Sequence, residues 1–89
     1  MEIEFDPAKN EKNILERGLP FTLAHEFDFT TALLDIDVRK DYGETRYRAL
    51  GLLNGRLHVL IFVVTTVGIR VISLRKANKR EVGFYESRT

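Results

Sequence analysis

The sequence predicts an α+β domain, with two N-terminal helices packed on an antiparallel four-stranded sheet and a further helix at the C-terminus. Three observations predict it. Asn54-Gly55 lies between two strand-forming runs and is the strongest short hairpin signal in the chain. Gly68 marks a second tight turn between two more such runs, so the strands on either side pair as antiparallel neighbours. Helix-start chemistry flanks this block on both sides, with Asp6-Pro7 before it and Asn78 with Glu81 after it.

Each element has its own signal. Ile3 and Phe5 suit a short edge strand. Asp6 is placed to cap a helix whose first position is Pro7, where the missing N–H costs nothing. That helix is expected to run to about Arg17 and stop at Gly18. Its apolar positions Ala8, Ile14 and Leu15 are sparse, which implies a surface helix with one narrow buried stripe. A second, shorter helix is expected from Pro20, with Leu23, Ala24 and Phe27 at helical spacing. Alternation over 31–36 predicts the first strand of the sheet, and 45–53 the second. The run 57–66 is apolar on both faces, as in a central strand covered on both sides, and 69–76 is the fourth. The last helix is expected from Lys79 to about Arg88, with Val82 and Tyr85 on one face and Phe84 close by.

Composition sets limits on function. Eighty-nine residues with no repeat or linker make one domain, 1–89, which buries about 60–65% of its unfolded surface. Without cysteine there is no disulfide, and without paired histidines at ligand spacing the usual zinc sets cannot be assembled. No cofactor is expected, because no glycine-rich phosphate loop opens a helix. Nor does a serine sit in an elbow context. The longest apolar run, Val59 to Val64, is far short of the roughly 20 residues of a membrane span. No signal peptide is visible, so the expected location is the cytoplasm.

Net charge is only +1, but it is segregated. Five Lys or Arg and no acid lie from Arg70 to Arg80, whereas 28–41 holds four acids and two bases. Arg46 and Arg48 share a strand face by parity, and Arg75 shares one with Ser73. Arg70 falls on the opposite face unless a bulge intervenes. Arginines among Val, Ile and Leu keep their charge and need a partner, either Glu44, Asp35 and Asp37 or an external phosphate. Their continuation into Lys76, Lys79 and Arg80 favours phosphate. Of the two histidines, His25 reads as a partly exposed helical residue. His58, near the hairpin exit, is the better acid–base candidate, set against a histidine packed at a strand end. Tyr42, Tyr47 and Tyr85 are the expected base-stacking groups, if there are any.

Taken together these pieces resemble the BrnT family, toxins of bacterial type II toxin–antitoxin pairs. The matching residues are F-D-P-A-K at Phe5 to Lys9 with Asn13, and E-R-G-L-P-F at Glu16 to Phe21. They continue through Ala24, Phe27-Asp28, Y-G-E-T-R at Tyr42 to Arg46 and G-R-L-H-V at Gly55 to Val59. The densest match is I-R-V-I-S-L-R-K-A at Ile69 to Ala77, followed by Glu81 and Tyr85. The family usually has Lys-His-Gly where this chain has Glu16-Arg17-Gly18, and often an acid where it has Phe29.

The resemblance implies a RelE-like ribonuclease fold and a metal-independent endoribonuclease that inhibits translation. It also implies neutralisation by a ribbon–helix–helix, BrnA-like antitoxin in a hetero-oligomer that represses its own operon. Under it Arg46, Arg70 and Arg75 are the expected phosphate-side cations, and Glu44, His58 and Tyr85 the proton-transfer groups. Lys9, Arg48, Lys76, Lys79 and Arg80 are expected to bind RNA. The competing expectation is a catalytically inactive RNA- or antitoxin-binding module acting in operon repression.

Overall fold

The computed structural model describes residues 1–89. Asp6 accepts the backbone N–H of Ala8 and starts helix α1 (Pro7–Arg17), which ends at Gly18 in the left-handed region, φ 68°. The sheet strands are β1 (Glu2–Phe5), β2 (Leu33–Ile36), β3 (Tyr47–Leu53), β4 (Arg56–Val64) and β5 (Gly68–Lys76). Helix α2 (Lys79–Arg88) closes the chain behind a complete capping box between Asn78 and Glu81. Asn54 and Gly55 both take positive φ, 50° and 80°, which turns β3 directly into β4.

The expected four-stranded antiparallel sheet under two N-terminal helices is corrected on two counts. The sheet has five strands in the order β1-β5-β4-β3-β2 and is mixed, because β1 pairs parallel to β5. A four-stranded sheet would leave the β5 edge open, and β1 covers it while adding Ile3 and Phe5 to the core. Gly68 permits this pairing, since a Cβ there would stand 2.0 Å from the Glu2 carbonyl oxygen. The second correction concerns Phe21–Glu26, which is a 3-10 helix and not an α-helix. Phe21, Ala24 and Phe27 recur every third residue, a spacing that three residues per turn puts in one line, and all three are buried. Pro20 before it offers no side-chain cap.

Two apolar layers form, one on each face. Phe21, Ala24 and Phe27 pack with Ala49, Leu60, Phe62, Ile69, Val71 and Leu74 on the first face. On the second, Val82 and Tyr85 of α2 cover Leu50, Leu57, Val59, Ile61 and Ala77.

The register of β5 carries one irregularity. Ile61 and Phe62 are consecutive on β4 but stand opposite Ser73 and Val71, which leaves Ile72 without a counterpart. Val71 and Leu74, three apart, can therefore both enter the first core. β1 pairs with β5 only as far as Val71. Beyond that point α1 takes over the edge, where the buried Asn13 side chain donates to the Leu74 carbonyl at 2.9 Å and the Leu19 carbonyl at 2.8 Å. Arg17 donates to Asn13 Oδ1 and to Ser73 Oγ.

Asn13→Ala strands two carbonyls beside the bulge, so urea denaturation is expected to show a loss of about 2–3 kcal/mol. Parent-like stability would show that these carbonyls find other donors.

Candidate functional site

The bulge decides which arginines meet. Arg70 and Arg75 are five residues apart and would face opposite sides of a regular strand. With Ile72 extra, Arg70 stands opposite Val63 and Arg75 opposite Val59, on the same face. Arg48, opposite Ile61, joins them from β3. Arg46, just before β3, reaches the same group through Glu44, whose carboxylate accepts from Arg70 at 2.5 Å and Arg46 at 3.2 Å. Three elements thus bring four arginines onto the α2 side of the sheet.

Each of these arginines has a carboxylate partner. Arg75 grips Glu81 with two bonds, 2.8 and 2.9 Å, while Glu81 also accepts the Asn78 N–H as part of the helix cap. Arg48 grips Asp35 across β2–β3, at 3.2 and 2.9 Å. Beside them Arg39 holds the buried Asp37, and the Arg46 guanidinium lies 3.9 Å from the Tyr42 ring centre. Arg39 is close enough to Arg75 to oppose its charge. Lys76, Lys79 and Arg80 at the junction of β5 and α2 join none of the ion pairs.

The electrostatics follow from these contacts. The Arg75 hydrogen bonds hold the Glu81 carboxyl at about 2, against the burial that would raise it. Arg39 likewise holds Asp37 at about 2. Glu44 is lowered chiefly by its hydrogen bond from Arg70, with Arg46 adding to it. It is an anion at neutral pH and a weak base while both arginines hold it.

The proton-transfer candidates do not converge. His58 stands opposite Gly51, on the face where a Cβ at Gly51 would strike Phe27, and is only 4% exposed. Its Nδ1 lies 2.7 Å from the Arg56 carbonyl and so carries the proton. It is a histidine packed at a strand end, on the face away from the arginines. The Tyr85 hydroxyl donates to the Thr31 carbonyl at 3.1 Å and ties α2 to the segment before β2. Lys9 lies on α1, in a separate cleft with Lys12 and Arg17.

Sequence reasoning missed Glu81 and Arg39 as members of the group, and it missed Phe84, which is 48% exposed. The expected stacking groups are occupied: Tyr42 by Arg46, Tyr47 by Phe62 at 5.7 Å, and Tyr85 by the second core. The capping-box spacing of Glu81 was visible in the sequence, but nothing there linked it to Arg75.

The comparisons with known proteins agree on one family. A family model described as "Ribonuclease toxin, BrnT, of type II toxin-antitoxin system" matches residues 5–81. The crystal structure of the Brucella abortus ribonuclease toxin, BrnT, is similar at 29% identity and a TM-score of 0.66. The alignment covers 89% of this chain and 99% of that one. Among curated proteins no match is found.

The depressed Glu81 and Asp37 carboxyls make stability depend on acid pH. Folded values near 2 lie below the ordinary carboxylate range of about 4, so these pairs contribute fully above that range. The contribution is lost as pH falls from about 4 through 2. Glu81→Gln is expected to flatten the stability curve over that window, as read by thermal melts. An unchanged curve would show that the Arg75 pair adds nothing to stability.

Proposed function

This chain belongs to the BrnT family of ribonuclease toxins of type II toxin–antitoxin systems, and from that premise we propose a metal-independent endoribonuclease acting at the arginine face. The observation that carries the reading is the bulge at Ile72, which puts Arg70 and Arg75 on one side with Arg46 and Arg48. Three guanidiniums fixed on strands, with Arg46 just before β3, suit a phosphodiester, whose charge grows in the transition state.

In this reading Arg46, Arg70 and Arg75 meet the scissile phosphate. The phosphate competes with Glu44 for Arg70 and Arg46, and as they turn to it the Glu44 carboxylate regains proton affinity. Glu44 then takes the proton of the ribose 2′-OH while O2′ attacks phosphorus. The bond from phosphorus to the 5′-oxygen breaks and the leaving oxygen takes a proton from solvent. The products are a 2′,3′-cyclic phosphate and a 5′-hydroxyl. His58 and Tyr85 have no proton-transfer role here, because one lies across the sheet and the other is committed to Thr31. Lys79, Arg80 and Arg48 extend the cationic track for flanking phosphates, whereas Lys76, opposite His58, falls on the other face of the sheet. Lys9 serves a more distant phosphate.

Family membership also supports a cognate DNA-binding antitoxin of the ribbon–helix–helix class, a shared hetero-oligomer on the operator, and inhibited translation as the outcome of RNA cleavage. The alternative is an inactive module that binds RNA or antitoxin. It draws on one observation: every arginine of the face is already paired with a carboxylate.

Expression of the chain alone is expected to arrest growth, relieved by the antitoxin. Normal growth with abundant folded protein would favour the inactive module. More directly, Arg70→Ala and Arg75→Ala are each expected to lower cleavage ~10²–10³-fold in protein that remains folded. Arg75→Ala leaves Glu81 unpaired, so the double variant Arg75→Ala/Glu81→Gln controls for stability. Melting temperature and RNA cleavage are read on the same samples. Variants that melt early yet cleave normally while folded would make these arginines structural.

A further inference from the structure

A cleft of about 480 Å³ opens where α2 leaves the sheet, at the margin of the arginine face. Its floor is aliphatic, built from Leu33, Leu50 and Val59. Its wall is one stripe of α2, Arg80, Phe84 and Arg88, spaced four residues apart and therefore stacked along the helix. Arg48 and Glu81 line it as well, and both belong to the ion pairs described above, so the cleft is continuous with the arginine face.

Three features of the cleft call for an occupant. Phe84 is an aromatic ring left 48% exposed on a helix whose other apolar side chains, Val82 and Tyr85, pack on the sheet. Arg80 and Arg88 have no carboxylate partner, and the Arg88 guanidinium lies over the Phe84 ring at 4.4 Å. The acids present, Asp35 and Glu81, are already held by Arg48 and Arg75, so the rim carries a positive surplus. The volume lies within the ~300–1,000 Å³ of small-ligand sites.

We propose that this cleft holds a nucleobase of single-stranded RNA adjacent to the scissile phosphate, stacked on Phe84 as Arg88, which lies over that ring in the free protein, turns with Arg80 to the neighbouring phosphates. A flat ring joined to a phosphate matches an apolar slot with one exposed aromatic and a cationic rim. An acidic amphipathic peptide shares the charge match. A peptide gains nothing from the junction with the arginine face, whereas an RNA strand running along that face passes Arg48 into the cleft. The proposal rests on the ribonuclease reading and adds to it the residues that select the flanking base.

The chain contains no tryptophan, so Phe84→Trp supplies a single stacking reporter. The probes are 2′-O-methyl hexanucleotides of A, C, G and U, which lack the attacking hydroxyl and stay intact. Their binding is expected to quench the fluorescence of the introduced indole, and one base is expected to do so at lower concentration than the others. Phe84→Ala and Phe84→Leu should weaken hexanucleotide binding by ~10-fold or more and raise KM for RNA cleavage with kcat nearly unchanged. Phe84 is half exposed, so both variants should melt with the parent. If the parent cleaves RNA and Phe84→Ala does so with the parent KM, the cleft assignment falls and the ribonuclease reading stands. If the hexanucleotides quench the indole of Phe84→Trp but the parent cleaves no RNA, the base site stands and the ribonuclease reading falls. If Phe84→Ala weakens only antitoxin binding, the cleft is a protein-docking surface and the proposal is overturned.

Discussion

One extra residue, Ile72 in β5, organises this protein. Before it, Ile69 and Val71 face the first core and Arg70 the second face. After it, Leu74 faces the first core and Arg75 the second face. Pair Ile72 regularly in thought, with no bulge, and either Leu74 leaves the core or Val71 does, with one of the two arginines following onto the wrong side. The bulge sits where β1 stops pairing and α1 begins to cover the edge. Asn13 and Arg17 hold the backbone and side chains just beyond it. A bulge at such a handover re-aims side chains without costing the sheet its continuity.

The face so formed is cationic in composition yet nearly neutral in its contacts. Five arginines there, Arg39 included, share four carboxylates, with Glu44 divided between two of them. Such a lattice keeps guanidiniums in fixed directions while no anion is bound. The two Glu44 pairs are partly exposed and hold little net free energy, so an incoming phosphate can take that carboxylate's place at small cost. Glu44 is the partner best suited to yield, since it belongs to no helix cap and lies in the turn before β3. Glu81 is the least suited, because it also closes the α2 cap.

Parts of this architecture were legible in the residues. The Asp6-Pro7 start and Gly18 stop of α1, the Asn54-Gly55 hairpin and the Asn78–Glu81 box are local chemistry, and each appears where its residues require. The 3-10 segment was misread because Phe21, Ala24 and Phe27 fit a helical pattern whose period the sequence alone does not resolve between 3.0 and 3.6. The fifth strand falls outside the expected sheet because Ile3 and Phe5 say that an edge strand exists, and nothing local says which strand it joins or in which direction.

The same division runs through the candidate site. By itself the sequence determined the inventory: arginines within strand-forming runs, a basic junction into α2, no cysteine, and the co-linear motifs of one family. Which of those residues meet was decided only by tertiary structure. Strand parity would put Arg70 and Arg75 on opposite faces, and a single unpaired residue puts them on the same one. His58, adjacent in motif to the arginines, was turned to the far face by the same alternation, and Phe84 was left facing a cleft that exists only once α2 has docked. The physical reason is that side-chain direction in a sheet depends on register. Register is set by pairing between distant segments, which a linear sequence lists without joining.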